Sequence, residues 1–273
     1  ASIDALLTTL ESFRKAKKSP EAIRTMPRVA LILQVRSSSE RLPGKALAQL
    51  GGMTVLESQM VRVEEASLDQ FWIATTTSHA DDEIIEIGAR RGWHTFRGHP
   101  DDVRSRFLQI IGNQKCDIVV RLTGDNPFTH YSAVNTAVDT LIRNWRTTDW
   151  VGPDEPIKCP IGLTPEAFSA EALCARSNQR QTEGLRESVH VTTGLRTSSR
   201  AVTFVPRELK KLGSMWRFTI DENDDLRFAR AFVAALGENW IGATYKDIVT
   251  TALQNPDLQA MNATIKPKLW SSG

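Results

Sequence analysis

Apolar residues fall along this chain in two alternating patterns: short unbroken runs, and longer stretches with apolar positions three and four apart. Residues 29–35 (VALILQV) are β-branched and aliphatic, which predicts a strand buried on both faces of a parallel sheet. Val55, Leu56, Met60, Val61 and Val63 then predict a helix, 71–75 (FWIAT) a strand, and 81–91 a helix with Ile84, Ile85 and Ile87 inward. A short strand at 95–98, a helix at 102–111, a strand at 116–122 (CDIVVRL) and a helix at 132–145 continue the alternation. Such alternation predicts an α/β fold with a mostly parallel sheet, helices on both faces, and ligands at the carboxyl ends of the strands.

The second half is less regular. Stretches 161–169 and 201–205 read as strands of a smaller mixed region, and 216–220 (WRFTI) as a strand ending in Asp221. Residues 224–236 carry Leu226, Ala229, Phe232, Val233 and Leu236 at helical spacing, and 245–253 read as a last helix. Residues 1–27 stand apart: Ile3, Leu6, Leu7, Leu10 and Phe13 mark an amphipathic helix, expected to pack on the domain formed by 28–273 or on a neighbouring subunit.

Composition narrows the function classes. With 273 residues the chain can bury an ample core, and 24% charged and 41% apolar residues are ordinary for a globular protein. A net charge of +2 gives no argument for a nucleic-acid or membrane partner, and no run is apolar enough to span a bilayer. Three scattered cysteines (Cys116, Cys159, Cys174) form neither a disulfide framework nor a CxxC zinc pair, so a reducing cytoplasm is expected. The N-terminus has no basic-then-apolar leader pattern.

The location of the cations matters more than their number. Directly after the first strand, QVRSSSERLPGK carries three serines, Gly44 and the cations Arg36, Arg41 and Lys45. Small residues let backbone N–H groups approach an anion and fixed cations neutralise it, so the loop has the make-up of a polyphosphate cradle. It is neither GxxxxGK[ST] nor GxGxxG. Taken alone it is also compatible with a basic surface loop closed by a Pro-Gly turn. Two acids follow predicted strands, Asp125 in TGDNP and Asp221 after WRFTI. In a parallel sheet both reach the edge that bears the loop and could hold a hard cation; each could equally cap the helix behind it.

QVRSSSERLPGK closely resembles the motif QARxxSxRLPGK of the cytidylyltransferases related to spore-coat polysaccharide biosynthesis protein F, relatives of the CMP-3-deoxy-manno-octulosonate and CMP-acylneuraminate synthetases. FRGHPDDVRSRF is similar to the family's FRGSxDDVLDRF, VVRLTGDNPF to VVRxTGDCPL, and RFTIDENDDLRFAR to RLTVDTPEDLELIR. The tail NPDLQAMNATIKPK also resembles the family's ending, so the likeness runs over about residues 28–268 and leaves out 1–27. It implies a nucleotide-diphospho-sugar transferase (Rossmann-like) fold and transfer of CMP from CTP with release of pyrophosphate. Carried over by position, Arg36, Ser37, Arg41 and Lys45 would hold the triphosphate, and Asp125 and Asp221 would bind Mg²⁺. Arg36, Lys45, Asp125 and Asp221 are thus the expected catalytic set. Arg106 would lie near the nucleotide, and Thr75 and Thr76 would line the base pocket.

The sequence departs from the family where the acceptor is expected. PDGLDVEVF appears as PIGLTPEAF, so two acidic positions are Ile161 and Thr164 while Glu166 remains; REHVTPYI appears as RESVHVTT, with Ser188 at the histidine position. Loss of acids with Arg186 retained suits an anionic acceptor, a sugar acid or a phosphonate. The expected partners are therefore CTP and a small anionic acceptor, with a homodimer implied by the family and the extra helix. The alternatives are a nucleotide-sugar-dependent glycosyltransferase, which would be expected to show a DxD pair, and a nucleotide-binding paralogue without activity.

Overall fold

The structure, a computed structural model, describes residues 27–154, 158–179 and 191–265. The predicted helix at 3–13 and Arg186 lie outside them. Strand β1 (Val29–Gln34) leads through the small hairpin β2 (Gln49–Leu50) and β3 (Met53–Thr54) into helix α1 (Val55–Val63). Next come β4 (Gln70–Thr76), α2 (Asp82–Arg91), β5 (His94–Gly98), α3 (Val103–Gln114), β6 (Ile118–Thr123) and α4 (Tyr131–Arg143). The remainder holds β7 (Trp150–Pro153), β8 (Glu166–Ser169), α5 (Ala170–Gln179), α6 (Thr193–Arg196), β9 (Ala201–Phe204), α7 (Asn223–Leu236) and α8 (Tyr245–Gln254).

The main sheet has the order β5-β4-β1-β6-β8-β7-β9. β5, β4, β1 and β6 run parallel, β8 is antiparallel to both β6 and β7, and β9 is parallel to β7. Strand β1 is central because it is apolar on both faces. Val29, Leu31 and Leu33 pack with Leu56 and Met60 of α1, Ile84 and Ile87 of α2, and Val134 and Leu141 of α4. Ala30 and Ile32 face the other way, toward Phe107 and Ile110 of α3, Leu173 of α5 and Leu195 of α6.

A third core is aromatic. Phe128, Trp216, Phe218, Phe228, Phe232 and Trp240 form one buried cluster with residues of α7 and α8. Phe218 and Phe232 meet edge to face with centroids 5.1 Å apart. Such pairs add about 0.5–1.5 kcal/mol beyond the area they bury. Buried Arg62 of α1 ties this core to the sheet by donating to the carbonyls of Ile241 (2.8 Å) and Ala243 (2.7 Å). Burial pulls its guanidinium down to about 10, so it still carries its charge at neutral pH.

Two expectations are corrected. Stretch 216–220 is not a strand of the sheet; it is extended, touches Ile161 through a single parallel bridge at Arg217, and buries Trp216, Phe218 and Ile220 in the aromatic core. Within the predicted 161–169 strand only Glu166–Ser169 joins the sheet, and β7, which the sequence pattern did not suggest, lies beside it. No described helix is long and apolar enough to cross a membrane.

Candidate active site

The loop after β1 is held by its own backbone and by one buried acid. Ser37 O accepts from the N–H groups of Ser39 and Gly44, both at 2.9 Å. Gly44 has φ 72°, a left-handed conformation that favours glycine, and starts the 3₁₀ turn Lys45–Leu47. Asp81 accepts from Ser37 N at 2.7 Å and from the hydroxyls of Thr75 (2.8 Å) and Thr76. Burial alone would raise the Asp81 pKa, but these bonds outweigh it and hold the carboxyl below its usual range. The loop is thereby pinned to the end of β4.

Backbone contacts bring together Asp125, which follows β6, and Asp221, which follows the extended 216–220 segment. Gly124 crosses the end of β1 so closely that an added Cβ would sit 2.6 Å from Val35 Cγ2. Asp125 follows, its Oδ1 accepting from Thr123 Oγ1 at 2.6 Å and its carbonyl from Ile220 N at 2.8 Å. That last bond lays the extended 216–220 segment against the β6 end and delivers Asp221. Lys45 Nζ then donates to Asp125 Oδ2 (2.9 Å), Asp221 Oδ1 (2.9 Å) and Ile220 O (2.8 Å).

Asp221 is further gripped by Arg217 Nη2 at 2.7 Å and Arg41 Nη2 at 3.1 Å. Arg217 in turn lies on fully buried Asp225 (Nε to Oδ1, 2.9 Å), which also accepts from the backbone N–H groups of Asp221 and Glu222 at the start of α7. Burial pulls the Lys45 pKa down, but Asp125 and Asp221 leave it above 10.5. Burial pushes Asp221 up, but Lys45, Arg41 and Arg217 prevail and hold it below 3.8. Lys45 and Asp221 therefore each keep their charge at neutral pH.

These groups form the floor of a cleft of about 490 Å³, walled by Gln34, Arg36, Arg41, Asp101, Arg106 and Thr123. Arg36 lies 3.7 Å from Asp101. Arg106 is buried, and desolvation together with the neighbouring Arg36 charge lowers it to about 10. Asp125 and Asp221 offer hard oxygen ligands, but the point on which they converge, 2.9 Å from an oxygen of each, is filled by the Lys45 ammonium, so a cation would bind them only with Lys45 displaced. The described residues hold no group of three or more His, Cys, Asp or Glu placed to bind a metal. A cation here would take two protein ligands and complete its shell with water or phosphate oxygens, a donor set that suits Mg²⁺.

Of the residues predicted from sequence, Arg36, Arg41, Lys45, Arg106, Asp125 and Asp221 converge on the cleft. Others do not. Thr75 and Thr76 are buried under the loop, bound to Asp81. Ser37 contributes its backbone to the loop, while its hydroxyl is buried without a partner. Glu166 is sealed in the sheet, with Arg121 Nη1 at 2.6 Å and Thr192 Oγ1 at 3.0 Å. Sequence reasoning missed Gln34, Asp81, Arg217 and Asp225. Asp81 and Asp225 begin helical patterns and read as ordinary first-turn acids; no local signal separates them from others.

A mostly parallel sheet with a basic loop after its central strand, and with carboxylates from the end of β6 and from the extended 216–220 segment meeting beside it, has the architecture of the nucleotide-diphospho-sugar transferase fold. The chain belongs to the cytidylyltransferase family, whose model matches residues 30–189. Spore coat polysaccharide biosynthesis protein SpsF of Bacillus subtilis is 27% identical over 236 residues, covering 84% of this chain and 95% of that protein. A cytidylyltransferase from Leptospira borgpetersenii superposes with a TM-score of 0.79 at 24% identity, over 89% of this chain and 100% of the other. CMP:2-keto-3-deoxy-manno-octonic acid synthetase, solved with CTP, gives a TM-score of 0.56 at 15% identity, over 76% and 98%.

Proposed function

We propose that the protein transfers CMP from CTP to a small anionic acceptor and releases pyrophosphate. The observation that carries this reading is the convergence of Lys45, Asp125 and Asp221 at 2.9 Å on the floor of a cleft bordered by Arg36, Arg41 and Arg106. A nucleophile attacks the α-phosphorus in line, the bond to the bridging oxygen breaks, and pyrophosphate takes the electron pair. Such a transfer depends on positioning and charge neutralisation more than on covalent help. Arg36, Arg41 and Lys45 neutralise the leaving pyrophosphate and orient it. Asp125 and Asp221 would hold Mg²⁺, which supplies further neutralisation of the phosphate oxygens.

An anionic acceptor fits the site's departures from its family. Ile161, at a position where the family carries an acid, bridges Arg217 beside Asp221, and Thr164, at the other, is buried. At Ile161, whose backbone bridges the segment that leads to Asp221, a negative charge is therefore missing. An acceptor that brings its own carboxylate or phosphonate oxygen as nucleophile needs no base from the protein. Residues 1–27 would serve a homodimer, which sedimentation of the full chain against a chain lacking them tests.

The deciding experiment is pyrophosphate release from CTP, UTP, ATP and GTP with Mg²⁺ against a panel of sugar acids, sugar phosphates and phosphonates. Release with CTP and one acceptor class is expected. CTP binding without release across the panel would overturn the reading in favour of a binding protein.

A further inference from the structure

Gln34 closes β1 with its side chain on the wall of the cleft, and one half of its carboxamide is already committed. Its Oε1 accepts from Arg121 Nε at 2.9 Å. Arg121 cannot serve any other way, because a guanidinium has five N–H donors and no acceptor. Arg121 is itself immobile: buried, it donates through Nη1 to Glu166 Oε2 at 2.6 Å. Glu166 is held in turn by Thr192 Oγ1 and, at 3.4 Å, by Arg196 Nε. Burial would favour protonation of Glu166, yet the charges of Arg121 and Arg196 keep its pKa below 4.5, so the anchor persists at neutral pH.

With the oxygen fixed on Arg121, Gln34, which lines the cleft, has only the N–H donors of its amide left to offer. A second donor lies beside it. Arg106 Nη1 sits on the carbonyl of Ala74 at 3.3 Å, and Ala74 is the residue in register with Gln34 on the neighbouring strand. Both side chains line the same cleft, just upstream of the loop that bears Arg36, Arg41 and Lys45.

We propose that Gln34 is a specificity-determining residue: its amide, locked as a donor by Arg121 and Glu166, reads the acceptor edge of cytosine, atoms N3 and O2. The inference rests on the cytidylyltransferase reading and deepens it. Cytosine offers two adjacent acceptors on one edge, which match two adjacent donors. Uracil places an N3–H there, which opposes the fixed N–H of Gln34 and leaves a buried donor unpaired, a mismatch that costs more than a missing contact. Arg121 and Glu166 act through Gln34 as positioning residues.

The test is direct binding of CTP and UTP by calorimetry, together with KM for CTP and for the acceptor, in the wild type, Gln34→Glu and Gln34→Leu. Gln34→Glu keeps an acceptor for Arg121 and turns an acceptor toward the base, so the preference for CTP over UTP should fall at least tenfold. Gln34→Leu should weaken CTP binding with little change for UTP. Unchanged preference in both folded variants would overturn the proposal. So would a rise in acceptor KM with CTP binding intact, because the donor wall would then face the acceptor. Binding selectivity is read without turnover, so a chain that binds CTP but transfers nothing would sink the proposed reaction while still judging Gln34.

Discussion

Two clusters of opposite charge stand near the ends of adjacent strands, and they differ in access. In one, Lys45 joins Asp125 and Asp221 with side chains 13%, 22% and 21% exposed. In the other, Arg121 joins Glu166 with side chains 6% and 7% exposed, in register across β6 and β8. Both are closely paired, at 2.9 Å in the first and 2.6 Å in the second. The sealed pair has its lone pairs and protons consumed by protein, through Gln34, Thr192 and Arg196. The open cluster keeps oxygens and an ammonium within reach of the cleft. The same chemistry is therefore sealed inside the sheet in one place and, in the proposed reaction, machinery in the other, and the glutamate that family resemblance assigned to the acceptor is the sealed one.

Substituting one acid in each cluster breaks the comparison most directly. Asp125→Asn should lower kcat by on the order of 10³-fold, because in the proposed reaction it removes charge that serves the reacting phosphate. Its thermal midpoint should move little, since Lys45 retains Asp221 and Ile220 O as partners. Steady-state kinetics beside thermal unfolding checks both halves. Near-normal turnover would remove Asp125 from the machinery.

Glu166→Ala should show the opposite profile. It leaves Arg121 and Arg196 facing each other without their shared carboxylate, and breaking a buried pair this way costs about 3–5 kcal/mol. Urea unfolding should show that loss, while turnover per folded molecule falls far less than in Asp125→Asn. A variant as stable as the wild type would mean that the pair is not sealed.

This division was only half legible in the sequence. β1 and β6 were readable because unbroken apolar runs have few folded alternatives other than a strand covered on both faces, and Asp125 follows directly from the end of β6. The segment 216–220 misled because alternation reports which side chains are buried, not which backbone accepts the hydrogen bonds. Trp216, Phe218 and Ile220 fill the aromatic core from an extended chain as well as they would from a strand. β7 was missed because four residues that include Gly152 and Pro153 carry too little pattern. Glu166 was misplaced because its partners, Arg121 and Thr192, are distant in sequence and only the folded sheet brings them to it.

A smaller effect sharpens the open cluster. Lys45→Ala should weaken CTP binding about tenfold or more and CMP binding much less, because the ammonium is expected to serve the leaving phosphates. Calorimetric titration of each nucleotide checks this. Equal losses for both would move Lys45 away from the pyrophosphate.

The smallest effect is the pH dependence of stability, and its sign follows from the shifts. Asp221 and Glu166 have folded pKa values below their ordinary 3.8 and 4.5. Each contributes stability that is fully present above the ordinary value and is lost as pH falls through the lowered one. Lys45 lies above 10.5, so its contribution is present below that value and is lost only as pH rises through the raised one. Stability from both clusters should thus be flat between about pH 5 and pH 10 and should fall on the acid side. Urea midpoints from pH 5 down to pH 2 should show a shallower acid limb in Glu166→Gln, and to a lesser degree in Asp221→Asn, whose carboxylate is partly screened by the solvent of the cleft. An acid limb as steep in Glu166→Gln as in the wild type would show that the sealed carboxylate does not set it, and with that the contrast between the two clusters would lose its energetic basis.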